Sequence, residues 1–538
     1  VIARLRRIPL IAWAPVLALL TLTAWSFASP IGAGPDDDFH LVSAWCAGPT
    51  ADATCLPTDS PREREVPAAL DDIDCFAYDP TRSAACQGED WSWSIDELVV
   101  SERGNFIGAY PPVFYTVMGA LTGGDIQLSA LAMRLLTVAL FTALLVALWR
   151  LLPERLRGPL AWGWLITTVP LGAFLLGTNN PSAWAMIGVA SSWLALLGWF
   201  ASPWSTDRRR KLALGALFVV TVLMAAGSRG DAALYSGLGM ALVLVLTMPG
   251  RGAEFSPSGG TGAAGSAPAA AWRPWLRDAA LPVVMGLVSL AFFLSARQSQ
   301  SGLGGFGGGT GVPGAATGGD MPLEPEAALT GFGLFAYNLL NVPFLFTGAL
   351  GDWALGWLDT SMPAIVSAAA VAAFVAVGFA GIGRLWGRKA IVLGVLVVVL
   401  VALPVYVLQA GGDVVGEQVQ PRYLLPLIIM LGGMLALTRT PRELTFTRAQ
   451  RFALVAALAG AHFVALHLNI RRYVTGIDAS GVNLDAGAEW WWVGPVGPNV
   501  VWLLGSLAYA LLAWIVVREL GRPGGTNSTR SGERIATS

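Results

Sequence analysis

The stretch AIVLGVLVVVLVALPVYVL, from Ala390 to Leu408, runs nineteen residues without a charged side chain, and its reading decides the fold. A helix needs roughly 20 apolar residues to cross hydrocarbon with every backbone N–H and C=O satisfied internally. Outward from this run, comparable ones fall at 10–29, 129–150, 160–177, 182–201, 212–227, 231–248, 278–296, 364–384, 422–438, 452–468 and 499–517. Of the 538 residues, 54% are hydrophobic and 13% charged, and the mean hydropathy is +0.59. A soluble chain carries about 25% charged residues. The expected fold class is all-α, a polytopic transmembrane helical bundle of about 12 spans. A formal net charge of −1 gives no reason to expect a nucleic-acid partner.

Basic residues orient the bundle. With Arg4, Arg6 and Arg7 on the cytoplasmic side, alternation puts the arginines near 150–157, 208–211, 251–277, 384–389, 439–451 and 518–534 there too, 24 of the 34 basic residues. That bias is the one expected of a correct topology, and it predicts both termini in the cytoplasm. A cleaved signal peptide ending near Ala28 is the alternative for the first run, and retention is expected. The apolar stretch 329–350 must then re-enter or lie at the interface, since Asn338, Asn341 and Pro343 interrupt it; a thirteenth span is the competing reading. The chain divides into a first span (1–29), an extracytoplasmic loop (30–126), spans two to seven (127–296), a Gly-rich loop with the re-entrant segment (297–363), spans eight to twelve (364–518) and a cytoplasmic tail (519–538).

The first loop carries sixteen carboxylates against four arginines between Asp36 and Arg103, a local charge of −12. All four cysteines lie in it. An even number on the external side reads as two disulfides, and spacing favours Cys46–Cys55 with Cys75–Cys86 among three pairings; a metal site would be expected to show CxxC. The segments 250–271 and 302–319 read as Gly-rich linkers.

Chemistry is expected just after the first span, at Pro35-Asp36-Asp37-Asp38-Phe39-His40-Leu41. A plain helix start, with Asp36 as cap, accounts for part of this pattern. Helical spacing also turns Asp36 and Asp37 toward His40, and a carboxylate there can take a proton from a hydroxyl. Polar residues collect at the same ends of other spans: Arg134, Asn179 and Asn180, Arg229 with Asp231 and Tyr235, and Gln420-Pro421-Arg422-Tyr423. Arginine at the edge of hydrocarbon pairs with an acid or holds an anion, and Arg229 has a local partner in Asp231. His462 and His467 do not share a helical face well enough to chelate a metal, and Trp490-Trp491-Trp492 reads as an interfacial anchor.

An acidic motif after the first span, a large first external loop and about a dozen spans resemble the GT-C superfamily of membrane glycosyltransferases. The chain is most similar to a bacterial multi-pass family grouped with it, which carries Pro-Asp-Glu-x-x-His-Phe, an Asn-Pro turn, a basic turn before a tyrosine and Gln-Gly-Arg-Tyr-x-x-Pro. Here those read Pro35 to Leu41, Asn180-Pro181, Ser228-Arg229 through Tyr235, and Gln420 to Pro426, in order over residues 30 to 430. Asp37 replaces glutamate, Leu41 phenylalanine and Pro421 glycine. The resemblance implies transfer of a sugar from a polyprenyl-phosphate donor to a cell-envelope glycan or glycolipid acceptor at the outer face of the plasma membrane. Asp36 or Asp37 would be the base, and Arg229 and Arg422 the phosphate partners. Asp38, His40, Arg134, Asn179, Asn180, Asp231, Tyr235, Gln420 and Tyr423 would line the substrate. Some relatives use a divalent metal, Mg or Mn. A transporter or flippase of a lipid-linked saccharide, and a non-catalytic subunit of an envelope-synthesis complex, are the alternatives.

Overall fold

The computed structural model describes residues 9–88, 91–250, 268–296, 329–417, 419–441 and 443–521, with the side chains of 268–271 excepted. Arg4, Arg6 and Arg7, segment 302–319, most of 250–271 and the tail beyond 521 lie outside the described residues. Ten helices among the described residues are long and apolar enough to cross a membrane.

One of the ten, Gly331–Asp352, does not traverse the bundle. Its start accepts a hydrogen bond from Gln409, Asn338 bonds the backbone at Asp413 and Val415, and Gly348 and Gly351 pack on Pro421 and Val366. Those partners sit at the same ends of helices Gly387–Gly411, Pro421–Leu435 and Ala364–Ile382, so the whole segment lies along one end of the molecule. Pro343 lacks the N–H to extend the first piece, Gly331–Asn341, and Gly351 turns the chain at φ 114°.

Three further segments traverse without meeting both criteria. Arg208–Ala226 opens on four basic residues, Pro421–Leu435 is only 15 residues long, and the predicted span 160–177 is broken into Glu154–Leu165 and Leu171–Leu176 ahead of Pro170. With the other nine they make the twelve traverses that hydropathy predicts. Buried segments escape the length rule because protein, rather than lipid, surrounds their broken backbone. Every residue of Pro421–Leu435 is buried, and so is nearly all of Pro181–Ala201, the central helix. Gly188 lets that helix approach its neighbour, since a Cβ there would sit 2.4 Å from the carbonyl oxygen of Thr221.

The first loop folds onto one end of this bundle. The two disulfides join Cys46 to Cys55 and Cys75 to Cys86, as the spacing predicts. An antiparallel sheet, which the all-α expectation did not include, pairs β1 (Leu56–Pro57) with β2 (Arg64–Pro67) and β2 with β3 (Leu98–Ser101). Strands this short carry too little alternation to be read from sequence. Buried Arg472 donates to Asp359 at 2.7 Å and to the Phe76 carbonyl at 2.8 Å, tying the loop to helix Arg448–Val474. Of the three tryptophans read as an anchor, Trp490 is buried beside Phe76 of the loop, and Trp492 donates to the carbonyl of Phe27 at the end of the first span.

Candidate functional site

The site is built from the turn leaving the first span, Leu10–Phe27. The end of that helix leaves carbonyls without partners. Arg134, fully buried on the second span, donates to the carbonyls of Ser26 and Ser29 at 2.9 Å and of Pro30 at 2.6 Å. Asp37 packs behind the turn, 3.8 Å from Arg134 and accepting from the Gly34 amide at 3.0 Å. Gly32 holds φ 91°, where a Cβ would lie 2.4 Å from the Ile73 carbonyl oxygen. The chain so constrained presents Asp36 at φ 59°, ψ 28°, one of three non-glycine residues at positive φ among those described. Such conformations persist only where the surroundings impose them, and they cluster at functional sites.

Asp36 occupies the N-cap position that the sequence predicts, but its side chain does not cap the helix. Helix Asp37–Cys46 starts behind it with no side-chain cap hydrogen bond, and the Asp36 carboxylate accepts from Arg422 Nη2 at 2.8 Å instead. Arg103 reaches Asp36 at 3.8 Å and grips Asp38 through Nε and, at 2.8 Å, Nη2. Desolvation would raise the Asp36 pKa, but Arg422, then His40 and Arg103, outweigh it and hold the group at about 2. Burial dominates at Asp37 and lifts it to about 6 against the pull of Arg134. Two adjacent carboxylates thus differ in facing and in charge preference.

His40 was expected to orient the base or hold a phosphate. Its ring lies 2.9 Å from the Tyr115 hydroxyl through Nδ1, and burial, with Arg422, Arg229 and Arg103 nearby, depresses it to about 3 despite Asp36. A neutral imidazole supplies no cation to a phosphate. The cations are Arg229 and Arg422, which both lie over the Tyr423 ring, 4.7 and 5.1 Å from its centroid. Arg229 pairs with Asp231 through Nε at 2.9 Å and Nη2 at 2.8 Å and also faces Tyr110 at 5.8 Å. Arg422 is 7% accessible; beyond its Nη2 contacts, its Nε and Nη1 make no hydrogen bond among the described residues. Unsatisfied guanidinium donors in a buried setting are costly and mark a place for an anion.

Asn180 caps helix Pro181–Ala201 through the Ser182 amide and donates to the Pro35 carbonyl at 2.7 Å, which fixes the acidic turn against the bundle. Asn179 beside it is buried with both amide atoms unbonded. Tyr235 is buried one turn beyond Asp231, and Gln420 stands at the start of Pro421–Leu435. The fold thus gathers Asp36, Asp38, His40, Arg229, Asp231, Arg422 and Tyr423, while Asp37 and Arg134 form a pair behind the turn. Sequence reading missed Arg103, Tyr110 and Tyr115. Arg103 had a signal, as one of four arginines among sixteen acids; the tyrosines had none beyond the Pro111-Pro112 turn between them.

Aspartates in this number raise the question of a divalent metal. No group of three or more His, Cys, Asp or Glu among the described residues is placed to hold one. Asp36 and Asp38 are each engaged by guanidinium groups, so their donor set does not fit a hard cation that needs several free oxygens.

No curated protein matches the chain. Among solved structures, it is similar to ArnT from Cupriavidus metallidurans bound to undecaprenyl phosphate, at 13% identity and a TM-score of 0.39, covering 95% of this chain and 77% of that one. Residues 19–431 match the profile of DUF2142, described as predicted membrane proteins, and the chain belongs to that family.

Proposed function

We propose that this protein is a GT-C-like membrane glycosyltransferase, which moves a sugar from a polyprenyl-phosphate-linked donor to a glycan or glycolipid acceptor of the cell envelope. The observation that carries the reading is the contact between Asp36 and Arg422 across 386 residues of sequence, with two further Arg422 donors unbonded beside it. A carboxylate next to unsatisfied guanidinium donors suits a reaction in which a hydroxyl loses a proton while a phosphate leaves. The motif order from Pro35 to Pro426 supports the same reading.

In the proposed reaction the acceptor hydroxyl gives its proton to Asp36 as its oxygen bonds the anomeric carbon. The bond from that carbon to the phosphate oxygen breaks, and its electron pair leaves with the polyprenyl phosphate. Arg422, with Arg229 behind Tyr423, balances the charge that develops there. A single displacement of this kind inverts the anomeric centre. In the free protein Arg422 keeps Asp36 a weak base. A donor phosphate on Nε and Nη1 shares that guanidinium charge, which raises the basicity of Asp36 when substrate is bound. Asp37, turned toward Arg134, positions the turn, and no step is routed through a metal. The positive-inside bias supports a site on the outer face of the plasma membrane.

The test is reconstitution in liposomes with radiolabelled polyprenyl-phosphate sugars and envelope glycolipid extract. Label appearing in the acceptor fraction with release of polyprenyl phosphate is the expected outcome. Movement of labelled donor between leaflets without covalent turnover would overturn the reading in favour of a transporter.

A further inference from the structure

At the end of the bundle opposite the candidate site, an apolar groove of about 490 Å³ runs between the first span, the second span, helix Glu154–Leu165 and the last span, Pro498–Leu520. Its volume is within the range of about 300–1,000 Å³ typical of built ligand sites. The hydroxyl protons along its walls are already used: Thr21, Thr142 and Thr168 each donate to the carbonyl four residues back, and Tyr509 to the Leu165 carbonyl at 3.5 Å. Small side chains at Pro15, Ala18 and Ala161 leave the space that larger neighbours would fill.

The groove is not apolar throughout: it ends on Arg150 and Arg157. Arg150 is exposed at the last turn of the second span. Arg157 lies over the Trp149 ring at 5.6 Å, and its Nε is buried with no hydrogen-bond partner among the described residues. Trp149 and Arg157 also line an adjoining recess that holds Glu154, Glu443 and Glu519, and none of these acids lines the groove. An apolar channel between spans closed by guanidinium groups at the membrane edge matches an anionic lipid, one chain in the groove and the headgroup phosphate on the arginines.

We propose that this groove is a binding site for an anionic glycerophospholipid of the leaflet that meets the Arg150 end. It stands apart from the proposed transfer site, since Arg150 and Ile126 are at opposite ends of one helix and the acidic turn packs near the Ile126 end. The site therefore stands or falls independently of the glycosyltransferase reading.

The test is thermal melting of the purified full chain in neutral detergent with added dioleoylphosphatidylglycerol, dioleoylphosphatidylcholine or undecaprenyl phosphate. Phosphatidylglycerol is expected to raise the Tm while phosphatidylcholine at the same concentration does not. The double variant Arg150→Gln, Arg157→Gln should bind phosphatidylglycerol about thirtyfold more weakly, the effect of two basic groups on an anionic lipid. Ala161→Trp, which fills the groove, should lose the response with the arginines intact; if that variant does not fold, the arginine pair near the surface decides. Equal responses to both phospholipids, an unchanged response in the arginine variant, or preference for undecaprenyl phosphate over phosphatidylglycerol would each overturn the proposal.

Discussion

Replacing Asp36 with asparagine separates its chemistry from its structural role. The residue sits at φ 59°, a conformation that asparagine tolerates nearly as well as aspartate, so the turn keeps its shape. The amide oxygen can still accept from Arg422 Nη2, now at 2.8 Å from the carboxylate. The lost charge costs little stability, because the Asp36 side chain is 36% accessible and pairs in contact with water contribute at most about 1 kcal/mol. A base is nevertheless removed, and general-base catalysis contributes roughly 10²–10⁴-fold. The expected result is a protein with wild-type elution and a Tm within a few degrees of wild type, whose transfer rate to envelope acceptor falls at least about 100-fold. Asp37→Asn, facing Arg134, should change the rate by less than about threefold. Both are measured by single-turnover transfer of radiolabelled sugar in liposomes. Undiminished transfer by Asp36→Asn, or a larger loss in Asp37→Asn, would refute the assignment.

Three other outcomes follow from the same geometry. Burial lifts Asp37 from 3.8 to about 6, so the folded state holds that proton more tightly than the unfolded chain; its stabilisation is complete below 3.8 and lost as pH rises through about 6. The Tm of Asp37→Asn relative to wild type should therefore climb between about pH 4 and 6.5 and level off above, by an equivalent of up to about 3 kcal/mol, and a constant difference refutes the burial argument. Gly32→Ala forces a Cβ against the Ile73 carbonyl at 2.4 Å and strains φ 91°, which should lower stability by about 1–3 kcal/mol and be visible as a reduced Tm; an unchanged Tm contradicts it. Opening Cys75–Cys86, which spans 11 residues, should cost about 3 kcal/mol, read as a Tm drop with Cys75→Ser; reductant, which also opens Cys46–Cys55, should lower the wild-type Tm at least as far, and identical melting of Cys75→Ser and wild type would contradict that cost.

Some of the site was legible and some was not, for identifiable reasons. Asp36 was visible because proline and three acids directly after an apolar run are a local pattern. That Asp36 rather than Asp37 meets Arg422 was not, since the left-handed backbone at Asp36 turns its side chain away from the helix it precedes, and that conformation is set by the surrounding fold. The Arg229–Asp231 pair, one of the two readings of Arg229 alongside a phosphate contact, was legible because the partners are two residues apart. Arg103, which joins Asp36 and Asp38, was lost among the charges of a loop whose fold depends on disulfides and a short sheet. His40 was placed beside the acids by helical spacing, but its burial among three arginines, which keeps it neutral, needed the fold.

The sequence by itself determined the class of solvent and the architecture it permits: backbone satisfaction in hydrocarbon needs long apolar runs, and those are written residue by residue. It also determined where the disulfides lie, because spacing within one loop is local. Tertiary structure alone decided that His40 stays neutral and that a carboxylate at position 36 meets a guanidinium at 422. Those outcomes depend on which helix ends pack together, and desolvation and Coulomb energies exist only once distant residues are brought within a few ångströms.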